Sequence, residues 1–157
     1  YIYDCHRESK ASPAVHAKVI SRRPHYIPVA YPHDGNRRDS MGNPGLAEQY
    51  RSLGCNFLLA HFANPPALGS DKGSNSVEEG LMAMLQSMEA GRFKVFSTLN
   101  YWFEEFRMYH RKSGKVVPFR DDLMSATRYA FQSQRYAVSG KDPAWTQDIT
   151  YKNYGII

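Results

Sequence analysis

The chain has 157 residues, of which 42% are hydrophobic and 22% charged, as is typical of one ordinary globular domain. It contains no run of about 18 apolar residues, so neither a membrane span nor a membrane partner is expected. The formal net charge of +5 and the pI near 9.2 favour an acidic partner, nucleic acid first. Cys5 and Cys55 have no metal-ligand spacing, which suits a reducing compartment.

Short apolar runs and amphipathic stretches alternate along the chain. The predicted strands are residues 1–9, 25–35, 55–62 and 94–98. The predicted helices are residues 12–23, 44–54, 76–94, 100–112 and 120–134. This order predicts an α/β layer fold with parallel neighbouring strands, in which chemistry gathers at the carboxyl ends of the strands.

The sequence predicts one domain over residues 1–138, followed by a C-terminal tail at 139–157. Residues 63–76 are rich in Pro, Gly, Ser and Asn, which predicts a mobile loop. Residues 111–119 are predicted to form a basic hairpin tip. The chain opens with YIYDCHRESK, which has no initiator Met and no signal-peptide layout, so we expect further sequence upstream.

Asp34 is the first candidate catalytic residue. It follows IPVAYPH at the carboxyl end of a predicted strand, where an open α/β sheet presents its catalytic groups. The alternative is an Asp-Gly turn, in which the side chain only caps the local backbone. The preceding residue, His33, could contact a phosphate or orient the acid.

Two further acids, Asp121 and Asp122, open the helix that contains DDLMSATRYA. The residues expected to face the sheet are Leu123, Ala126, Thr127 and Ala130. Asp122 lies beside that face on a helical wheel and is expected near the interior, whereas Asp121 lies almost opposite and suits an N-cap. Asp122 either supports the helix dipole or holds a divalent cation together with Asp34.

The helical stretch NYWFEEFRMYHRK adds aromatic and acidic residues. Its aromatic side chains, expected mostly in the core, are Tyr101, Trp102, Phe106 and Tyr109. Glu104 and Glu105 are expected in solvent or paired with Arg107 or Arg111, or alternatively near a metal.

Carboxylates that converge on Mg²⁺ or Mn²⁺, often as a two-metal site, are the arrangement of metal-dependent phosphodiester cleavage. Basic residues would then hold the phosphates of duplex DNA, although each alone is also explained as a solvated surface charge. The candidate DNA-binding residues are Arg37, Arg38, Lys72, Arg111, Lys112 and Lys115.

Five segments carry a family resemblance: IPVAYPHDG, SVEEGLMAML, GRFKVF, WFEEFRMYHRKSGKVV and DDLMSATRYA. Together they resemble the C-terminal nuclease domain of the large terminase subunit of tailed bacteriophages, over about residues 1–135. The last segment is the most specific, because this family typically ends its nuclease core with an acidic pair and an A-x-RYA helix.

The resemblance implies an RNase H-like fold, with a mixed central sheet flanked by helices, and an endonuclease that cuts concatemeric viral DNA during packaging. It implies Mg²⁺ or Mn²⁺ held by Asp34, Asp121 and Asp122. An upstream ATPase domain, the portal ring and the small terminase subunit would be its partners in the host cytoplasm. The family's first-strand acid has no counterpart here, so we expect this sequence to lack the first strand; Asp4 fits a surface acid better.

Two other functions stay open at this point. One is another RNase H-like nuclease, such as a junction resolvase, although those enzymes lack the YHRKSGK tip and the acidic-pair RYA ending. The other is a catalytically inactive module that binds DNA or a portal. The missing first acid favours such a module, whereas the retained acids argue against it.

Overall fold

The computed structural model describes residues 1–66, 68, 71 and 73–138. Lys72, residues 67, 69 and 70 of the predicted loop, and the predicted tail at 139–157 lie outside the described residues. The helices are α1 (Pro13–Ile20), α2 (Leu46–Ser52), α3 (Val77–Glu89), α4 (Asn100–Met108) and α5 (Asp122–Gln132). Short 3-10 turns occupy His33–Asn36 and Ser133–Tyr136. Among the described residues, no helix has the length and apolar character needed to cross a membrane.

Each α-helix lies inside the stretch predicted for it, because local signals set its ends. Pro13 occupies the first position of α1, and Gly54 follows α2 at a φ of 83°. The Ser76 hydroxyl oxygen caps α3 by accepting a hydrogen bond from the Glu79 backbone N–H at 3.4 Å. The Glu79 carboxylate accepts a hydrogen bond from the Asn64 side-chain amide, at 3.0 Å. The capping residue of α3 was therefore predictable.

The predicted strands are extended segments joined by single bridges. Ile2 pairs with Val95 and Val29 pairs with Phe57, both in parallel, as predicted. The predicted strands were long enough for longer ladders, and that prediction is wrong for the described residues. After Leu58 N–H donates to the Val29 carbonyl, the next bond runs from Phe62 N–H to the Tyr31 carbonyl. Between these two bonds the Val29 segment advances by two residues and the Leu58 segment by four. The two extra residues make the second segment bulge into solvent around Leu59, which breaks the ladder.

An antiparallel hairpin follows α4. Its strands are β1 (Arg111–Lys112) and β2 (Lys115–Val116), with Arg111 opposite Val116. The turn places Ser113 and Gly114 at φ values of 51° and 76°, the two positive values that a tight hairpin turn requires. The predicted basic tip is therefore present as a hairpin.

Helices α4 and α5 pack on each other around a small core of Trp102, Leu123 and Met124. The Trp102 indole N–H donates to the Thr127 hydroxyl oxygen at 2.9 Å, so the polar edge of this buried ring is satisfied. Trp102 is buried as predicted. Tyr101 and Phe106 are 60% and 44% exposed, so their assignment to the core was wrong.

The buried face of α5 differs from the predicted one. Its buried residues are Leu123, Met124, Thr127 and Arg128. Ala126 and Ala130, expected against a sheet, are exposed. The reason is that α5 packs against two helices, α3 and α4, and the longer side chains fill the space between them. The small residues are left on the outer side.

Arg128 and Gly80 form the contact between α5 and α3. The Arg128 guanidinium lies 4.5 Å from the Tyr129 ring centroid and 5.7 Å from that of Phe62, and the whole residue is buried. A Cβ atom at Gly80 would lie 2.7 Å from both Cγ and Cδ of Arg128. Glycine at position 80 is therefore required by the close approach of the arginine stem.

We expect Gly80→Ala to lower the free energy of unfolding by about 1 to 2 kcal/mol, because overpacking outweighs the gain in helix propensity. Denaturant unfolding followed by circular dichroism measures the change. In an Arg128→Ala background the same substitution should be neutral or stabilising. A Gly80→Ala chain that is more stable than the parent, as helix propensity alone predicts, would contradict this account of the contact.

Candidate active site at the start of helix α5

Asp34 lies in the 3-10 turn that directly follows the extended segment around Val29. The neighbouring Tyr31 is buried, and its hydroxyl donates to the Asn36 side-chain oxygen at 3.1 Å. Gly35 approaches the Tyr31 ring so closely that a Cβ would lie 2.7 Å from it. Tyr31 therefore contacts the turn at both Gly35 and Asn36. Asp34 stands at the end of the extended segment, as predicted, and its side chain is exposed.

A second histidine accompanies this turn. The rings of His33 and His61 have centroids 6.4 Å apart, and both residues are exposed. His61 follows the bridge at Phe57, so the two histidines lie beyond the ends of adjacent parallel segments. No local spacing in the sequence predicts this pairing, because residues 33 and 61 are brought together by bonds between distant segments, at Val29 with Phe57 and at Tyr31 with Phe62.

The two acids at the start of α5 occupy different environments, but not the predicted ones. Asp122, the first residue of the helix, is exposed rather than near the interior. Asp121 stands at the N-cap position and is half-buried, yet its side chain makes no capping hydrogen bond. Its carboxylate lies 3.5 Å from the Ser125 hydroxyl, which donates to it. The predicted interior placement of Asp122 was therefore wrong, because α5 is rotated towards α3 and α4. Asp121 occupies the predicted N-cap position but does not make the capping hydrogen bond. The metal-binding role of these acids stays a prediction.

Glu105 on α4 caps α5 in place of Asp121. It is fully buried, and its Oε2 accepts the Leu123 backbone N–H at 2.7 Å. Its Oε1 accepts from Nη1 of Arg7 at 2.6 Å. The expected exposure of Glu105, or its pairing with Arg107 or Arg111, was wrong. Arg7 lies 98 residues before Glu105, and no local spacing points to it.

Glu104, the neighbouring carboxylate, faces partly into solvent. It accepts from Arg120 at 2.8 Å and lies 3.7 Å from a second nitrogen of Arg7. Arg7 thus bridges the two glutamates, and it also lies 5.2 Å from the Tyr101 ring centroid. The predicted partners of Glu104, like those of Glu105, were wrong.

The two aspartates add to the electrostatics of groups around the helix start. The hydrogen bond to Glu105 raises the pKa of the Arg7 guanidinium, and the charges of Glu105, Glu104 and Asp122 raise it further. Burial raises the pKa of the Tyr109 phenol, and the charge of Asp121 adds to that increase.

The predicted DNA-binding residues differ in whether they form ion pairs with other residues. Arg111 pairs with Glu78, and Arg38 lies 3.6 Å from Glu48. Lys112 and Lys115 are exposed on the hairpin and Arg37 is exposed after the 3-10 turn, and none of the three has an ion pair with the described residues.

The carboxylate oxygens of Asp34, Asp121 and Asp122 are the donors that Mg²⁺ and Mn²⁺ prefer. In the part of the chain that the structure describes, no three potential ligands lie within reach of one ion. Mg²⁺ is usually bound through one or two carboxylates, with water and substrate phosphates completing its shell. The structure therefore does not gather the three acids into one ligand set among the described residues, and a metal held by one or two of them would take its remaining ligands from water and DNA phosphates.

One acid at the end of a segment in a parallel bridge and two at the start of the last α-helix occupy two of the three acidic positions that the resemblance implies. A family model described as Terminase RNaseH-like domain matches residues 1–134. The chain therefore belongs to the terminase RNase H-like domain family, and its fold is RNase H-like, as the resemblance implied.

Individual relatives agree with this assignment. The chain is 43% identical over 117 residues to the terminase large subunit of Salmonella phage P22, covering 74% of this chain and 22% of that protein. It is 44% identical over 106 residues to that of Enterobacteria phage LP7, covering 67% and 21%. A solved structure of the P22 large terminase nuclease domain matches with a TM-score of 0.72 and 36% identity, covering 86% of this chain and 68% of that one. The chain thus spans about a fifth of the length of these terminase subunits.

Proposed function

We propose that the chain is the nuclease region of a phage large terminase subunit, which cuts concatemeric double-stranded DNA during genome packaging. The likeness to the P22 nuclease domain over 86% of the chain carries this proposal. The exposed acids at the end of the Val29 segment and at the start of α5 support it, since a substrate must reach them from solvent.

In this proposal Asp34 and Asp122 hold Mg²⁺ or Mn²⁺, with Asp121 assisting. The metal would activate a water molecule and neutralise the charge that develops on the phosphate. The chain's own part is to present the carboxylates. Asp34 stands on a turn fixed by Tyr31, and Asp122 stands on a helix start fixed by Glu105.

The hairpin and the segment after Asp34 would bind the DNA backbone. Lys112 and Lys115 are exposed and carry no ion pair among the described residues, and Arg111 is already paired with Glu78. Contacts of this kind neutralise phosphates without reading the base sequence. Arg37 and Arg38 are proposed to assist on the strand-end side, and Lys72, outside the described residues, is proposed from the sequence alone.

The proposed partners follow from the same assignment. They are double-stranded DNA, an ATPase domain upstream in the same polypeptide, the portal ring and the small terminase subunit. The place of action would be the host cytoplasm, in the packaging complex.

A second candidate is a module that binds DNA but does not cut it. The observation that favours it is that no three potential metal ligands lie within reach of one ion in the described residues. Such a module would bind DNA with a steep salt dependence and would not require a metal ion.

Titration with Mn²⁺ distinguishes these two functions. The nuclease is expected to bind Mn²⁺ in calorimetry, and DNA should tighten that binding because its phosphates supply further ligands. The charge-matched control is Glu89→Gln at the exposed end of α3, which should bind Mn²⁺ like the parent. A chain that binds DNA with the same affinity in Mn²⁺ and in EDTA, and takes up no Mn²⁺, would contradict the nuclease and favour the binding module.

A further inference from the structure

The consecutive glutamates of α4 hold the chain on both sides of the Asp121–Asp122 pair. The Glu105 carboxylate accepts the Leu123 backbone N–H, one residue after the pair. The Glu104 carboxylate accepts from the Arg120 side chain, one residue before it. We refer to these two residues as the Glu104–Glu105 clamp.

Glu105 is the rigid half of the clamp. The residue is completely buried, and both of its oxygens are used, one by Arg7 and one by the Leu123 N–H. A buried carboxylate keeps its charge only where such partners compensate for lost hydration. The carboxylate has no freedom to move away from Leu123, and therefore the start of α5 is fixed relative to α4.

A second link between α4 and α5 sets the direction of the helix. The Trp102 indole N–H donates to Thr127, and the Thr127 hydroxyl donates to the Leu123 carbonyl. Two attachments one helical turn apart fix both the position and the tilt of the first turn of α5. Any movement of Leu123 would carry the adjacent Asp122 with it.

Glu104 constrains the approach to the pair. Arg120 has a φ of 47°, a value that is unusual for a residue other than glycine. Its side chain donates to Glu104 at 2.8 Å, and Glu104 also lies 3.7 Å from Arg7. Arg7 therefore joins the two halves of the clamp, and its charge offsets the repulsion between the Glu104 and Glu105 carboxylates.

We infer that Glu105, held by Arg7, is a positioning residue that sets where Asp121 and Asp122 stand for metal binding. This inference rests on the proposed function, because it concerns the same acids. Glu105 itself takes no part in coordination, since neither oxygen is available. Its role is comparable to that of outer-shell partners of metal ligands, whose loss typically lowers metal affinity or activity about 10- to 100-fold.

The test compares Glu105→Gln with the parent, with Asp122→Ala and with Glu89→Gln. Glutamine keeps the shape of the side chain and one acceptor oxygen but loses the charge that holds Arg7. In Glu105→Gln we expect Mn²⁺ affinity to fall about 10-fold or more, and the Leu123 amide to exchange its hydrogen faster. Glu89→Gln should leave both measurements unchanged.

The variants distinguish a failure of the positioning role from a failure of the proposed function. Normal Mn²⁺ affinity in Glu105→Gln, together with weakened binding in Asp122→Ala, would overturn the positioning role and leave the proposed function standing. Unchanged affinity in both variants would overturn the proposed function, and the positioning role with it. Should Glu105→Gln fail to fold, the paired substitution Arg7→Met with Glu105→Leu takes its place, because removing both charges together is better tolerated than removing one. That variant is then judged by the same affinities.

Discussion

Chains that carry Asp122→Ala are expected to cut plasmid DNA at least about 100-fold more slowly than the parent. Loss of a direct metal ligand should cost more than the loss of about 10- to 100-fold that is typical when an outer-shell partner of a ligand is removed. Asp122 is the exposed first residue of α5, and in the proposed function it holds the metal ion. Asp34→Ala should cause a loss of similar size. Asp121→Ala should cost less, because its carboxylate is half-buried and already accepts a hydrogen bond from Ser125.

The measurement is the initial rate of conversion of supercoiled to nicked plasmid at saturating Mn²⁺. Glu89→Gln serves as the control for the change in charge and should cut at the parental rate. Equal rates for the parent and all three aspartate variants would mean that the cleavage comes from a contaminant and that the acids are wrongly assigned. A larger loss for Asp121→Ala than for Asp122→Ala would exchange their proposed roles.

The second large effect concerns stability. Glu105→Ala is expected to lower the free energy of unfolding by about 3 kcal/mol because it breaks a buried ion pair. This value is the lower end of the range for such pairs, and we choose it because Arg7 reaches solvent. The substitution leaves the Leu123 N–H without its acceptor at the start of α5 and empties the space of a fully buried side chain. Denaturant unfolding measures the loss.

A double-mutant cycle separates the ion pair from the cap. Arg7→Met alone should also destabilise, and the combination Arg7→Met with Glu105→Ala should cost clearly less than the sum of the two single changes. Additive losses would show that Arg7 and Glu105 contribute independently. A loss below about 0.5 kcal/mol for Glu105→Ala would contradict a structural role for this buried carboxylate, since surface substitutions usually fall within that range.

Much of this architecture could be predicted because its signals are local. Pro13, Ser76 and Gly54 mark helix ends through backbone preferences that operate within a few residues. The carboxyl-end position of Asp34 follows from the apolar run directly before it. The family resemblance also rests on contiguous segments, and the match over residues 1–134 confirms it.

What could not be predicted depends on contacts distant in the sequence. Periodicity showed that α5 is amphipathic but not which neighbours it meets, so Ala126 was assigned to the interior in place of Arg128. The cap on α5 was assigned to Asp121 because Asp is a good local capping residue. A buried carboxylate from another helix performs that role, and its partner Arg7 is 98 residues away from it in the sequence.

The most direct test of the account is plasmid cleavage by the unmodified chain in Mn²⁺, in Mg²⁺ and in excess EDTA. We expect nicking and linearisation in the presence of a divalent metal, little preference for sequence, and complete loss of cutting in EDTA. Cleavage that persists in EDTA would contradict the proposed metal-dependent chemistry. DNA binding without any cleavage in either metal would contradict the nuclease and identify the chain as a binding module.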